Sequence, residues 1–144
     1  TLFDISYFFV FSGTIFALIS PVVIAYTGPT RFRYYQFWGE HLFGYIALFY
    51  MIFVHGMKIN IKSLFKSLAC LVVLAVIAYF ANTILGDDAN YLFMAKPEDT
   101  ASILDILPKN FAVRVLIMGL AITSLFGVAY LPWYFIERKK KKEV

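Results

Sequence analysis

Four apolar runs, each near the length that crosses a bilayer, set what this chain can fold into. They lie at about residues 5–26, 34–56, 64–85 and 111–135. An α-helix needs about 20 apolar residues to cross a hydrocarbon core of about 30 Å. Lipid offers no hydrogen-bond partners, so segments of this kind close their backbone bonds internally, as helices. The runs carry the composition with them: 61% of the 144 residues are hydrophobic, where a soluble domain has roughly 45–50%. The fold class is therefore all-α, a polytopic membrane bundle of four transmembrane helices. A short interfacial helix is expected in the long connection at 86–110.

Charge placement excludes some functions. The formal net charge is +4, and five of the thirteen basic residues are Arg138 to Lys142. This cluster, in the tail 136–144, suits a cytoplasmic segment against anionic lipid better than a nucleic-acid groove. The aromatic and basic residues of FRYYQFW read as an interfacial belt. The single cysteine, Cys70, allows no intrachain disulfide framework and no cysteine-only zinc site. Nothing in the sequence asks for a cofactor or a metal. No signal-peptide pattern is present, and the chain enters a span almost directly from Thr1, which points to a region within a longer protein.

The first run carries a small-residue patch, Ser12, Gly13, Thr14 and Ala17, where another helix can approach closely. Pro21 is expected to kink its last turns. Gly28-Pro29 then marks a tight turn, with Arg31 and Arg33 free to snorkel toward phosphate.

The second run, YYQFWGEHLFGYIALFYMIFVH, holds the adjacent pair Glu40 and His41 near its start. Ionisable groups within a span face a bundle interior or a wet cavity, because exposing them to lipid costs at least a few kcal/mol. His41 and Tyr45 share a helix face. His55 lies about 20 Å further along the axis and cannot join His41 on one small substrate.

Other polar residues gather at one level. With four spans, both termini lie on one side. That side has Lys58, Lys62, Lys66 and the five tail cations, against Arg31, Arg33, Lys96, Lys109 and Arg114 on the other. The basic bias places both termini in the cytoplasm and the 86–110 loop outside. Glu40, His41, Asn82, Asn90, Tyr91, Lys96 and Arg114 then share one depth near the outer surface. A Glu40–Arg114 pair would neutralise two costly charges. It would leave His41 as the group suited to proton transfer. Asn82, Asn90, Tyr91 and Lys96 are the candidates for binding a substrate. The carboxylates Asp87 and Asp88 lack the fixed geometry that a metal site needs. Against these functional roles stands plain structure: a hydrogen-bonded histidine, an interhelical asparagine and a snorkelling arginine.

The loop sequence Asn90-Tyr91-Leu92-Phe93-Met94, with Lys96-Pro97 and then SILDILP, resembles the NYxFL…KP…SLLDxLGP pattern of YwaF-like integral membrane proteins. FFVFSGTIFALISP and RFRYYQFWGEH resemble the same family further upstream, with His41 on a family histidine. The resemblance runs from about Phe8 to Trp133. It implies a longer protein with further spans before this region. A eukaryotic relative is a transmembrane acyltransferase that moves acyl chains onto ether lysophospholipids. The resemblance therefore implies phospholipid as a partner and His41 as a general base. The cysteine proposed to carry the acyl group in that relative lies upstream of this region, and Cys70 does not match it.

Three functions follow. The first is a YwaF-like multi-pass protein with an outward-facing polar cavity that acts on or binds lipid, as in acyl transfer. Glu40 or Arg114 would set the charge of His41. The second is a non-catalytic subunit of a membrane complex, with a protein partner or the missing upstream spans covering its small-residue patches. The third, ranked last, is a transporter or channel subunit. The tail KKEV has the form of a dilysine retrieval signal, but a polybasic anchor is the preferred reading. That preference favours a bacterial plasma membrane over the endoplasmic reticulum.

Overall fold

A computed structural model describes residues 1–21, 28–86, 89–96, 103–140 and 142. Its four long helices are α1 (Leu2–Ile19), α2 (Phe32–Phe53), α3 (Ile61–Leu85) and α4 (Phe111–Lys140). Two short 3₁₀ turns, Tyr91–Phe93 and Ile103–Ile106, lie between α3 and α4. The all-α expectation holds. Three helices, α1, α3 and α4, are long and apolar enough to cross a membrane. α2 falls short of that measure, because its tyrosines, Gln36, Glu40 and His41 dilute the apolar content of its 22 residues.

The surface is that of a membrane protein. α3 exposes Val72, Val73, Val76, Ile77 and Phe80, while Ser63 and Ser67 of the same helix are fully buried. Ser12, Thr14 and Arg114 are also buried. Polar groups inside and apolar groups outside suit a bundle in lipid, where interhelical packing relies on small and hydrogen-bonding residues.

Local chemistry explains the helix ends. α3 begins three residues earlier than the apolar pattern indicates. Asn60 caps it: the Ser63 N–H donates to the Asn60 side chain at 3.1 Å, and the Asn60 N–H donates back to the Ser63 hydroxyl at 3.4 Å. This reciprocal box satisfies two otherwise orphaned backbone donors. The kink expected in the turns after Pro21 falls on residues outside those described. α1 stops at Ile19, and the Ser20 N–H donates to the Phe16 carbonyl at 2.9 Å. A residue before proline is pushed out of the helical region, which ends α1 at this point. The rest of the first run, residues 22–26, lies outside the described residues. Pro132 sits within α4, which continues past the expected end at 135. The expected interfacial helix is one 3₁₀ turn, Ile103–Ile106, with Pro108 closing off extension two residues later.

α1 is the hub, packing on α2, α3 and α4, and α3 also packs on α4. Bonds between helices fix their directions. At one end the Lys66 ammonium lies 3.0 Å from Asp4, and the Ser67 hydroxyl reaches the Asp4 carbonyl at 3.2 Å. The Tyr7 hydroxyl donates to the Ala129 carbonyl at 2.8 Å. The beginnings of α1 and α3 therefore lie beside the end of α4. The core cluster sits in this half: Tyr7, Phe8, Leu48, Ile59, Phe126, Ala129 and Tyr130. At the opposite end the Ile103 N–H donates to the Ser20 hydroxyl, tying the long connection to the end of α1.

Candidate functional site

The long connection closes on itself over the second end of the bundle. Gly86 terminates α3 with φ 80° and ψ −157°, a backbone region open essentially to glycine alone. This turn swings the chain back so that residues 90–96 lie against α3 and α4. Asn82, one turn before the end of α3, holds the returning strand by both atoms of its amide. The Tyr91 N–H donates to Asn82 Oδ1 at 2.7 Å, and Asn82 Nδ2 donates to the Tyr91 carbonyl at 3.1 Å.

Asn90 secures the same segment internally. Its Oδ1 accepts from the N–H groups of Ala95 and Lys96 at 3.1 and 3.2 Å, and its Nδ2 donates to the Lys96 carbonyl at 3.0 Å. Between these anchors, Leu92 and Phe93 adopt left-handed conformations with φ 57° and 55°. Such conformations cost an L-residue roughly 1–2 kcal/mol each, and the anchors on both sides hold them. Met94 is buried beneath the cap. The phenol of Tyr91 faces outward, and Leu85, Ala89, Asn90 and Tyr91 line a shallow groove of about 410 Å³.

Arg114, in the first turn of α4, completes the fastening. Its Nε donates to the Phe93 carbonyl at 3.0 Å and its Nη2 to the Lys96 carbonyl at 3.3 Å. Its third nitrogen, Nη1, is buried without a hydrogen-bond partner. The helix start beneath it is capped by Asn110, whose Oδ1 accepts from the Val113 N–H at 3.1 Å.

Five of the seven residues singled out in the sequence therefore meet: Asn82, Asn90, Tyr91, Lys96 and Arg114 form one hydrogen-bonded cap. Both side-chain amides bind backbone groups of this cap. Glu40 and His41 stand apart from it on α2, whose principal neighbour is α1. No hydrogen bond or ion pair joins either of them to the cap among the described residues. The expected Glu40–Arg114 ion pair does not form. Glu40 instead accepts from Gln36 Nε2 at 2.7 Å, and Gln36 Oε1 accepts from Arg33 at 3.1 Å. These three residues share one exposed helix face, and their spacing made the ladder readable in the sequence.

His41 is half-buried against Phe37, with the ring centroids 4.4 Å apart. Its Nδ1 lies 2.7 Å from the Phe37 carbonyl oxygen. A carbonyl only accepts, so this nitrogen carries the proton, and Nε2 is the nitrogen that bears the lone pair in the matching neutral tautomer. One turn further along α2, the Tyr45 hydroxyl donates to the Phe11 carbonyl of α1 at 3.1 Å. The indole nitrogen of Trp38, three residues before His41, is buried without a partner. In the sequence Trp38 belongs to the FRYYQFW belt, and nothing in that pattern signals a buried indole nitrogen. Among the described residues, no three His, Cys, Asp or Glu side chains gather to hold a metal ion. The carboxylates Asp87 and Asp88 lie outside the described residues.

Comparison with known proteins gives a family match. The family model described as the TMEM164 family covers residues 1–142. No curated protein and no solved structure matches the chain. A model spanning nearly all 144 residues, over helices of membrane-crossing length, places this chain in the TMEM164 family of membrane proteins.

Proposed function

We propose that this chain is the lipid-handling part of a multi-pass membrane protein, and that its reaction is acyl transfer to a lysophospholipid. α2 serves as the fourth span in this reading. Its 22 residues reach about 33 Å at 1.5 Å per residue, and its Tyr45 hydroxyl bonds to the Phe11 carbonyl of α1. Four antiparallel spans bring both termini to one side, and the basic tail assigns that side to the cytoplasm. The resemblance of the 90–97 segment to YwaF-like proteins supports the lipid reading.

The observation that carries the reading is the His41–Phe37 hydrogen bond of 2.7 Å. It orients the ring and leaves Nε2 as a base. In the reaction, Nε2 takes the proton from the lysophospholipid hydroxyl as that oxygen attacks the carbonyl carbon of an acyl ester or thioester donor. The new ester C–O bond forms, the donor's acyl C–O or C–S bond breaks, and the proton passes to the departing alcohol or thiol. Positioned acid–base catalysis of this kind contributes typically about 10²–10⁴-fold. The test is acyl transfer in membranes carrying the full-length protein, with wild type compared with His41→Ala. A loss of about 10²-fold or more is expected, and an unchanged rate removes His41 from the chemistry.

A second reading, a non-catalytic subunit, draws on the cap. Asn82, Asn90 and Arg114 bind backbone groups of the cap, as residues that hold a fold together do. A stoichiometric protein partner that co-purifies with wild type and His41→Ala alike, without acyl transfer by either, would favour it.

A further inference from the structure

Arg114 is the largest fully buried side chain among the described residues, at 1% exposure. Its charge is permanent, because a guanidinium does not deprotonate in proteins. Both ion pairs among the described residues use Asp4, so neither offsets this charge. Two neutral carbonyls satisfy Nε and Nη2, the second through a long bond of 3.3 Å. Nη1 is left buried with its donors unused. Buried charges are normally paired, and an unused buried donor on a charged group is costly. Arginine also presents a planar fork that matches the oxygens of phosphate.

The position adds a reason. Arg114 lies one turn inside the start of a membrane-length helix, which the four-span reading above puts near the head-group level. The segment over it is strained. Phe93, whose carbonyl accepts from Arg114, has φ 55°, and Leu92 before it has φ 57°. Strain of this kind collects at switch points and ligand clamps.

We propose that Arg114 is a phosphate-binding residue for a membrane phospholipid, with Nη1 receiving the phosphate oxygen as the 90–96 cap loosens. This inference rests on the lipid reading above and names the group recognised. Arg114 then has two alternative partners, the cap carbonyls or the phosphate.

The test is binding by the purified full chain in a non-ionic detergent, followed by native mass spectrometry. Three probes are added: dioctanoyl phosphatidic acid, dioctanoylglycerol, and inorganic phosphate. Wild type should retain the phosphatidic acid at least about tenfold better than the other two, the size expected of one charge-assisted contact. Arg114→Gln should abolish that preference. Asn82→Ala frees the cap from α3 but keeps the guanidinium, so it should retain or increase the preference.

An undiminished preference in folded Arg114→Gln overturns the proposal. Equal retention of inorganic phosphate by wild type overturns the lipid as its source. If Arg114→Gln does not fold, loss of the preference in Asn82→Ala overturns it instead. The readout involves no turnover. A preserved preference without acyl transfer sinks the reaction alone, and acyl transfer without the preference sinks this site alone.

Discussion

Asn82 holds Tyr91 as a neighbouring β-strand would, giving and taking one hydrogen bond with the same backbone unit at 3.1 and 2.7 Å. This two-point grip joins the end of α3 to the cap. Replacing Asn82 with Ala removes both bonds and leaves the Tyr91 amide without its partner. The cost expected is about 1–3 kcal/mol, localised to the cap. Hydrogen exchange should speed at residues 90–96 and stay unchanged at the Tyr7–Ala129 end. Equal exchange in the mutant would mean that Arg114 and Asn90 hold the cap unaided.

Glu40 and Arg114 are predicted to be independent. Glu40 bonds to Gln36, and Arg114 bonds to the cap. A double-mutant cycle on Glu40→Ala and Arg114→Lys should give a coupling below about 0.5 kcal/mol, as for separated sites. A coupling above about 1 kcal/mol would restore the ion pair that the sequence suggested.

Tyr7 and Ala129 join the first helix to the last through one buried bond of 2.8 Å. Tyr7→Phe keeps the ring, with its edge contact to Phe8 at 5.2 Å, and loses only the hydroxyl. The loss of one neutral hydrogen bond should be modest, about 0.5–1.5 kcal/mol. Reversible unfolding in detergent is the check. A loss near zero would mean that ring packing alone fixes α1 on α4.

Two glycines act by different physics. At Gly44 an added Cβ would stand 3.0 Å from Val10 Cγ1, where α2 meets α1. Gly44→Ala gains helix propensity of about 1 kcal/mol, which offsets the crowding, whereas Gly44→Leu should separate the helices at a cost of about 1–3 kcal/mol or more. At Gly86 there is open space around the added Cβ, and the cost is conformational. Gly86→Ala should lose about 1–3 kcal/mol through its φ of 80°. Unfolding of the three variants separates the cases. A Gly44→Leu protein as stable as wild type would refute the close approach.

The elements were legible because they are local. Runs of apolar residues located all four helices, and antiparallel order placed Asn82, Asn90, Tyr91, Lys96 and Arg114 at one end. The missed boundaries follow short-range signals. Asn60 and Ser63 form a capping box without the usual glutamate, and Ser20 before Pro21 stops a helix that hydropathy alone extends. The lateral arrangement was not legible. Periodicity gives the angle of a residue around its own helix, but not the rotation of one helix against another. Equal depth therefore could not tell that Arg114 turns to the Phe93 carbonyl while Glu40 turns to Gln36. Nor could it tell that Tyr7 finds a partner 122 residues away. The His41–Phe37 bond, between residues four apart on one helix, was within reach of sequence spacing.

The placement of the aromatic cluster has a mechanical consequence. Phe8, Phe126 and their neighbours clamp the bundle in the half remote from the long connection. A clamp at one end makes each helix a lever pivoted there. On an arm of about 20 Å, the rise of some 13 residues, a tilt of about 10° carries the tip roughly 3.5 Å. The spacing of the helix tips at the capped end is thus governed by angles set at the opposite end. Repacking Phe8 or Phe126 should alter that spacing without touching a single polar residue.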